Sequence, residues 1–141
     1  MEQKILFIGL GIMGAPMAEN IIQKGFDVAV CDIQQNVVDG FKDIASITST
    51  KPSEAADQRN VIMMILPNSD VVNSVLFDEG GALETCAPNS LIIDMSTGSY
   101  PKMMKIAKRV AGLGHRFVDA PVGRTPREAI IGDLLVMAGG D

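Results

Sequence analysis

Several familiar signatures are missing from this 141-residue chain, and each absence narrows what it does. Its two cysteines, Cys31 and Cys86, stand far apart with no C-x-x-C spacing, so they build neither a disulfide framework nor a zinc site and read as buried fillers. That usage fits a reducing, cytoplasmic compartment. No run of Lys or Arg occurs, and the net charge of -5 with a pI near 4.8 disfavours a nucleic-acid or anionic-membrane surface as the main business. No apolar stretch approaches the roughly 20 residues of a membrane span. The apolar start at Ile5 lacks the basic region and length of a signal peptide. Repeats, low-complexity tracts and linkers are absent too, so residues 1–141 read as one domain whose partner is a small molecule. The single histidine, His115, precedes an apolar run and reads as a surface or helix-end residue, and no metal site is expected.

What is present is a core. Apolar residues make up 47% of the chain and the mean hydropathy is +0.23. Short apolar runs recur at 4–8, 27–31, 60–66, 90–94, 116–120 and 134–138, with a weaker candidate at 46–50. They are continuous more than alternating, as in strands covered on both faces. Between them lie helical periods: Met13, Met17, Ala18, Ile21 and Ile22 share one face, and Met103, Ile106, Ala107, Val110 and Ala111 another, with Lys102, Lys105, Lys108 and Arg109 outside. Pro16 and Pro101 suit helix starts, and Gly25, Gly112 and Gly114 suit helix ends. Strand and helix alternate throughout, which predicts an α/β fold of Rossmann type, a doubly wound and mostly parallel sheet.

The stretch GLGIMG, Gly9 to Gly14, follows a strand, opens a helix, and is followed by an acid, Asp32, at the end of the second strand; this is the dinucleotide fingerprint. Gly9 allows the tight turn, Gly11 lets the backbone approach a pyrophosphate, and Gly14 lets helix and strand pack closely. The helix N-terminus offers free N–H groups to phosphate. The Asp32 carboxylate can accept from a ribose 2′-OH and would repel a 2′-phosphate, and no arginine follows it, so NAD is expected over NADP. In open parallel sheets ligands sit beyond the carboxyl ends of the strands. The loops 9–14, 66–70, 95–100 and 121–125 and Asp32 are therefore expected to line one crevice.

These residues resemble a family. FIGLGIMGAPMAENI, ILPNSDVV, IIDMSTGS, FVDAPV and GDLLVMAGGD stand in the order found in the β-hydroxyacid dehydrogenases, which include the 3-hydroxyisobutyrate and tartronate-semialdehyde dehydrogenases. The resemblance implies that Ile12 and Met13 contact the pyrophosphate region and that Leu66 and Pro67 flank a ribose. It also implies that the turn at Ser96, Thr97 and Gly98 meets nicotinamide and substrate, although Ser96 or Thr97 can equally cap the helix that follows. The family commonly reads Asp-Ala-Pro-Val-Ser-Gly-Gly at the sixth strand. This chain has Gly123, Arg124 and Thr125 in place of Ser-Gly-Gly, a variant similar to the 3-sulfolactaldehyde reductases. That likeness implies that Gly123 and Arg124 bind substrate, the guanidinium meeting a sulfonate. A rigid fork of donors suits a tetrahedral oxyanion. Pairing of an exposed Arg124 with Glu128 or Asp119 is the plainer alternative.

Hydride transfer to an aldehyde needs a proton donor for the developing oxyanion. None of the crevice loops carries an evident one, and Lys102 and Lys105 fall on a solvated helix face. In the family a lysine on a later helix does this, so a catalytic lysine is expected beyond Asp141, in a helical domain that also builds the oligomer. The 141 residues alone are expected to be inactive. The implied activity is NADH-dependent reduction of a short anionic aldehyde, 3-sulfolactaldehyde to a sulfonated diol before others. A carboxylate such as succinic semialdehyde, or an isolated NAD-binding module without turnover, stays open.

Overall fold

The central strand β1 (Lys4–Ile8) carries the logic of the architecture in its alternation. Leu6 and Ile8 point into one core and Ile5 and Phe7 into a second, all four essentially buried, so both faces of the sheet are covered. The computed structural model describes residues 2–140. β2 (Asp27–Cys31), β3 (Ile47–Ser49), β4 (Val61–Met64), β5 (Leu91–Asp94) and β6 (Arg116–Asp119) run parallel to β1 in the order β3-β2-β1-β4-β5-β6. The weak candidate at 46–50 is thus a true edge strand. The fold is a Rossmann-like α/β domain, and its chain order reverses between β1 and β4, where such sheets open a crevice.

Helices sort onto the two faces by their apolar stripes. α1 (Gly14–Gln23), α2 (Gln35–Asp39) and α6 (Pro126–Ile131) bring Met17, Ala18, Val38 and Ala129 to the Ile5 and Phe7 side. α3 (Pro52–Ala56), α4 (Ser69–Phe77) and α5 (Tyr100–Gly112) bring Ala55, Ala56, Val72, Leu76, Ile106 and Val110 to the other. In α5 the basic face is outside as expected. Lys102 pairs with Asp70 at 2.9 Å, and the Arg109 guanidinium lies 3.7 Å from the centre of the Phe77 ring. Ala111, expected on the buried face of α5, is exposed because the helix is ending there.

The apolar run at 134–138 departs from expectation. Only Leu135–Val136 form a strand, β8, and it pairs antiparallel with β7 (Val122–Gly123) in a separate ribbon. A further short strand, β9 (Gly139–Gly140), closes the main sheet antiparallel to β6. The reason is the connection. A parallel return needs a crossover of about a dozen residues or more, whereas the six-residue α6 ends at Gly132 in a left-handed turn with φ 73°. The chain therefore doubles back beside β7.

Candidate functional site

At the carboxyl end of β1 the glycine turn is fixed by backbone geometry. Gly9 has φ 97°, and a Cβ on it would sit 2.1 Å from the Ile65 carbonyl oxygen; one on Gly14 would sit 1.8 Å from the Gly9 carbonyl oxygen. Gly11 is different: nothing lies within 4 Å of where its Cβ would be, so this is the side a ligand backbone can approach. Met13, the residue before α1, offers no side-chain cap; the Ala15 N–H goes to the Gly11 carbonyl at 3.0 Å and Pro16 has none, which leaves the Gly14 N–H at the helix start available to phosphate. The Asp32 carboxylate reaches back across the turn. One oxygen accepts from the Leu10 N–H at 2.8 Å and the other from the Gln34 N–H at 3.0 Å, which aims its remaining lone pairs outward.

These groups line a crevice of about 520 Å³ that runs from Asp32 and Ile33 on one side, past Gly9, Gly11, Ile12, Met13 and Gly14, to Leu66 and Pro67 on the other. Its size and mostly apolar lining suit a nucleotide cofactor. Eight of the expected residues come together here. A second, smaller cavity of about 140 Å³ lies over β5 and β6, lined by Thr97, Ser96, Gly98, Ser69, Asp94 and Asp119 among others. The expected single crevice is thus two, and Gly123 and Arg124 line neither.

Two residues behave in ways the sequence did not announce. Ser96 is buried, and its hydroxyl accepts from the Leu66 N–H at 2.8 Å, so its side chain is engaged inside the protein while Thr97 is exposed. Arg124 has φ 77°, a left-handed conformation that glycine adopts freely. Its guanidinium donates through Nη1 to the Asp133 carboxylate at 2.6 Å and to the Asp133 carbonyl at 3.2 Å; the partner is neither Glu128 nor Asp119. Glu128 instead closes a capping box with Thr125 at the start of α6.

Asp94 is a further residue the sequence did not announce, and Asp119 pairs with it in the sheet instead of meeting Arg124. They are register partners at the carboxyl ends of β5 and β6. Burial pushes the Asp94 carboxyl above the usual carboxylate range, and burial together with the Asp94 charge does the same to Asp119. The available signal was an acid closing an otherwise apolar run. His115 lies at the other edge of the sheet as expected, where its Nδ1 accepts from the Ser90 N–H at 3.1 Å.

A parallel sheet reversing at a glycine-lined crevice, with an acid fixed at the end of β2, defines a dinucleotide-binding domain. Residues 4–141 match the family model described as the NAD binding domain of 6-phosphogluconate dehydrogenase, and the chain belongs to that family. It is 40% identical over 136 residues to the 3-sulfolactaldehyde reductase of Escherichia coli, covering 96% of this chain and 46% of that protein. It is 34% identical over 139 residues to the NAD-dependent L-serine dehydrogenase of Pseudomonas aeruginosa, covering 99% and 47%. Among solved structures, the 3-hydroxyisobutyrate dehydrogenase of Mycobacterium tuberculosis with L-serine superposes with a TM-score of 0.87 at 28% identity, over 100% of this chain and 47% of that one. The chain thus spans about half the length of the curated relatives it matches.

Proposed function

We propose that this chain is the NAD(H)-binding half of a reductase that interconverts a short aldehyde and its alcohol, the substrate bearing a terminal anion, with 3-sulfolactaldehyde as the first candidate. A bound nicotinamide would supply the hydride. The protein's own groups bind and orient: the Gly14 amide and the open side of Gly11 hold the pyrophosphate, Asp32 accepts from the adenosine ribose, Leu66 and Pro67 border the crevice, and Thr97 faces the reacting end. NAD is favoured over NADP because a 2′-phosphate would meet the Asp32 carboxylate with no guanidinium following it.

The observation that carries the substrate class is the backbone at Arg124. A non-glycine residue at φ 77° costs roughly 1–2 kcal/mol, more than the ~0.2–1 kcal/mol an exposed ion pair such as that with Asp133 returns. Backbone strain that packing does not repay points to function. Only Nη1 is engaged, which leaves the rest of the donor fork for an oxyanion. The same fork takes a carboxylate, so succinic semialdehyde is the second reading. Likeness to a 3-sulfolactaldehyde reductase ranks sulfonate first.

Turnover further requires a proton donor, which we assign to a lysine in a helical domain of the full-length protein that also builds its oligomer. The relatives' greater length supports this, as do the exposed Ile130, Ile131, Leu135, Val136 and Met137, an apolar strip suited to cover. Calorimetry on this chain tests the cofactor: tighter NADH than NADPH is expected, and equal affinities would sink the role of Asp32. In the full-length protein Arg124→Ala should raise KM for 3-sulfolactaldehyde sharply with cofactor affinity spared. An unchanged KM would return Arg124 to its ion pair. NADH binding without turnover of any anionic aldehyde would favour a cofactor-binding module.

A further inference from the structure

The loops after β4 and β5 are laced to each other in both directions. The Ser96 hydroxyl, from the second loop, accepts the Leu66 N–H of the first at 2.8 Å. The Ser69 hydroxyl, at the start of α4, accepts the Ser99 N–H of the second at 3.0 Å. Both serines are 4% exposed, so these bonds are made in a dry interior where a lost partner is costly. The approach is close enough to dictate sequence: a Cβ on Gly98 would lie 2.2 Å from the Ser69 hydroxyl oxygen.

Beneath this double lacing sits Asp94, also 4% exposed, whose Oδ1 accepts the Ser96 N–H at 2.9 Å. It follows Ile92 by two residues and so shares its face of the sheet, where Ile92 is core. The hydrophobic interior gains nothing from an acid at that place, and a neutral alanine would fill the strand end without the desolvation that raises the Asp94 and Asp119 carboxyls. What the carboxyl does provide is a fixed acceptor that sets the direction of the turn after β5.

We propose that Asp94 is a positioning residue: by holding the Ser96 amide it orients the Ser96 hydroxyl toward Leu66, so that the Leu66–Pro67 and Thr97–Gly98 segments form one rigid jaw around the nicotinamide half of the cofactor. The lacing is visible without any ligand, whereas its purpose rests on the NAD(H) reading above. The cofactor's other half lies over Asp32 and the glycine turn, so loosening the jaw should affect the two halves unequally.

Two measurements decide it. In amide hydrogen exchange on the ligand-free chain, Asp94→Ala should speed exchange at Ser96 and Leu66 by about fivefold or more, the equivalent of one hydrogen bond, while amides of β1 are unmoved. Asp94→Asn keeps an acceptor oxygen and should restore most of the protection. In titrations, Asp94→Ala should weaken NADH about tenfold while AMP, which reaches only the adenosine half, binds as before. Unchanged exchange at Ser96 and Leu66 overturns the proposal, as does equal weakening of NADH and AMP. If the unmodified chain binds neither nucleotide, the NAD(H) reading fails and the positioning role with it, and the exchange data still report separately whether Asp94 holds the jaw.

Discussion

The two edges of the sheet both carry polar groups, and they use them in opposite ways. At the amino edge the groups turn to each other, with only the buried Arg59 Nε left without a partner among the described residues. Arg59, 5% exposed, donates to the Asp27 carboxylate at 2.5 Å and to the Ser46 hydroxyl at 3.0 Å, tying the starts of β2, β3 and β4 together. The Ser46 and Arg59 hydrogen bonds hold the Asp27 carboxyl below the usual carboxylate range. Asn60 likewise exchanges bonds with the backbone of Lys4 and Glu2. At the carboxyl edge the Gly14 amide at the start of α1, the outer lone pairs of Asp32 and the space over Gly11 are left facing a crevice. A closed polar network stabilises, and an open one binds.

The sharpest way to break that contrast is a substitution that should matter at one edge only. Arg59→Ala removes the partner of Asp27 and Ser46 from a buried site and should cost about 3 kcal/mol, the scale for breaking one side of a buried ion pair. Urea denaturation reads the loss. NADH affinity, measured where the variant is still folded, should stay within a factor of about two. A large affinity loss in folded protein would mean that the amino edge shapes the crevice after all.

The reciprocal substitution is Gly11→Ala. Its Cβ meets no protein atom, so the denaturation midpoint should hardly move. The same methyl occupies the side on which a pyrophosphate would approach, and NADH binding should weaken by about a hundredfold. Gly14→Ala makes a useful companion, since there the clash is with the Gly9 carbonyl and stability itself should fall. If Gly11→Ala bound NADH normally, the pyrophosphate would have to lie elsewhere.

What was legible in the sequence follows the same division. Strands β1, β2, β4, β5 and β6 announce themselves because burial on both faces demands continuous apolar runs, while the edge strand β3 is only weakly marked, and the glycine turn shows because contacts at Gly9 and Gly14 exclude a Cβ. The residues of the large crevice were readable for that reason. The jaw was not: hydroxyls of Ser69 and Ser96 bond across 30 or so positions of sequence, which no local period records. A serine that caps, contacts substrate or laces two loops looks the same as text. The ribbon of β7 and β8 was missed because LLVMA has the composition of a core strand, while its place is decided by the short connection through α6.

Arg124 sits between the two regimes, and a smaller effect tests it. If its left-handed backbone is strain accepted for binding, Arg124→Gly should relieve it and raise stability by about 1 kcal/mol, the loss of an exposed ion pair with Asp133 notwithstanding. Thermal denaturation of this chain gives the sign directly. A destabilised glycine variant would show that the Asp133 pair, together with its bond to the Asp133 carbonyl, repays the conformation, and the case for an anion site would lose its main support.

The smallest effect concerns His115, where the amino edge depends on pH. Its Nδ1 accepts from the Ser90 N–H, which requires a neutral ring, and burial lowers its pKa below the ordinary 6.5. Above 6.5 the ring is neutral whether the chain is folded or not, and His115 adds no pH dependence. As pH falls through 6.5 the unfolded chain takes up the proton first, so stability declines until the lower folded pKa is reached and then levels. Asp94 and Asp119 act with opposite sign, since their raised carboxyls disfavour the fold as pH climbs from 3.8. The difference between the parent chain and His115→Asn isolates the histidine, because both share the two aspartates. It should be constant above pH 6.5, narrow below it and level again once the lower folded pKa is passed, in denaturation midpoints taken at half-unit steps of pH. A constant difference across the whole range would mean that His115 takes up its proton equally readily in the folded and unfolded chain, so that neither its burial nor the Ser90 bond favours the neutral ring.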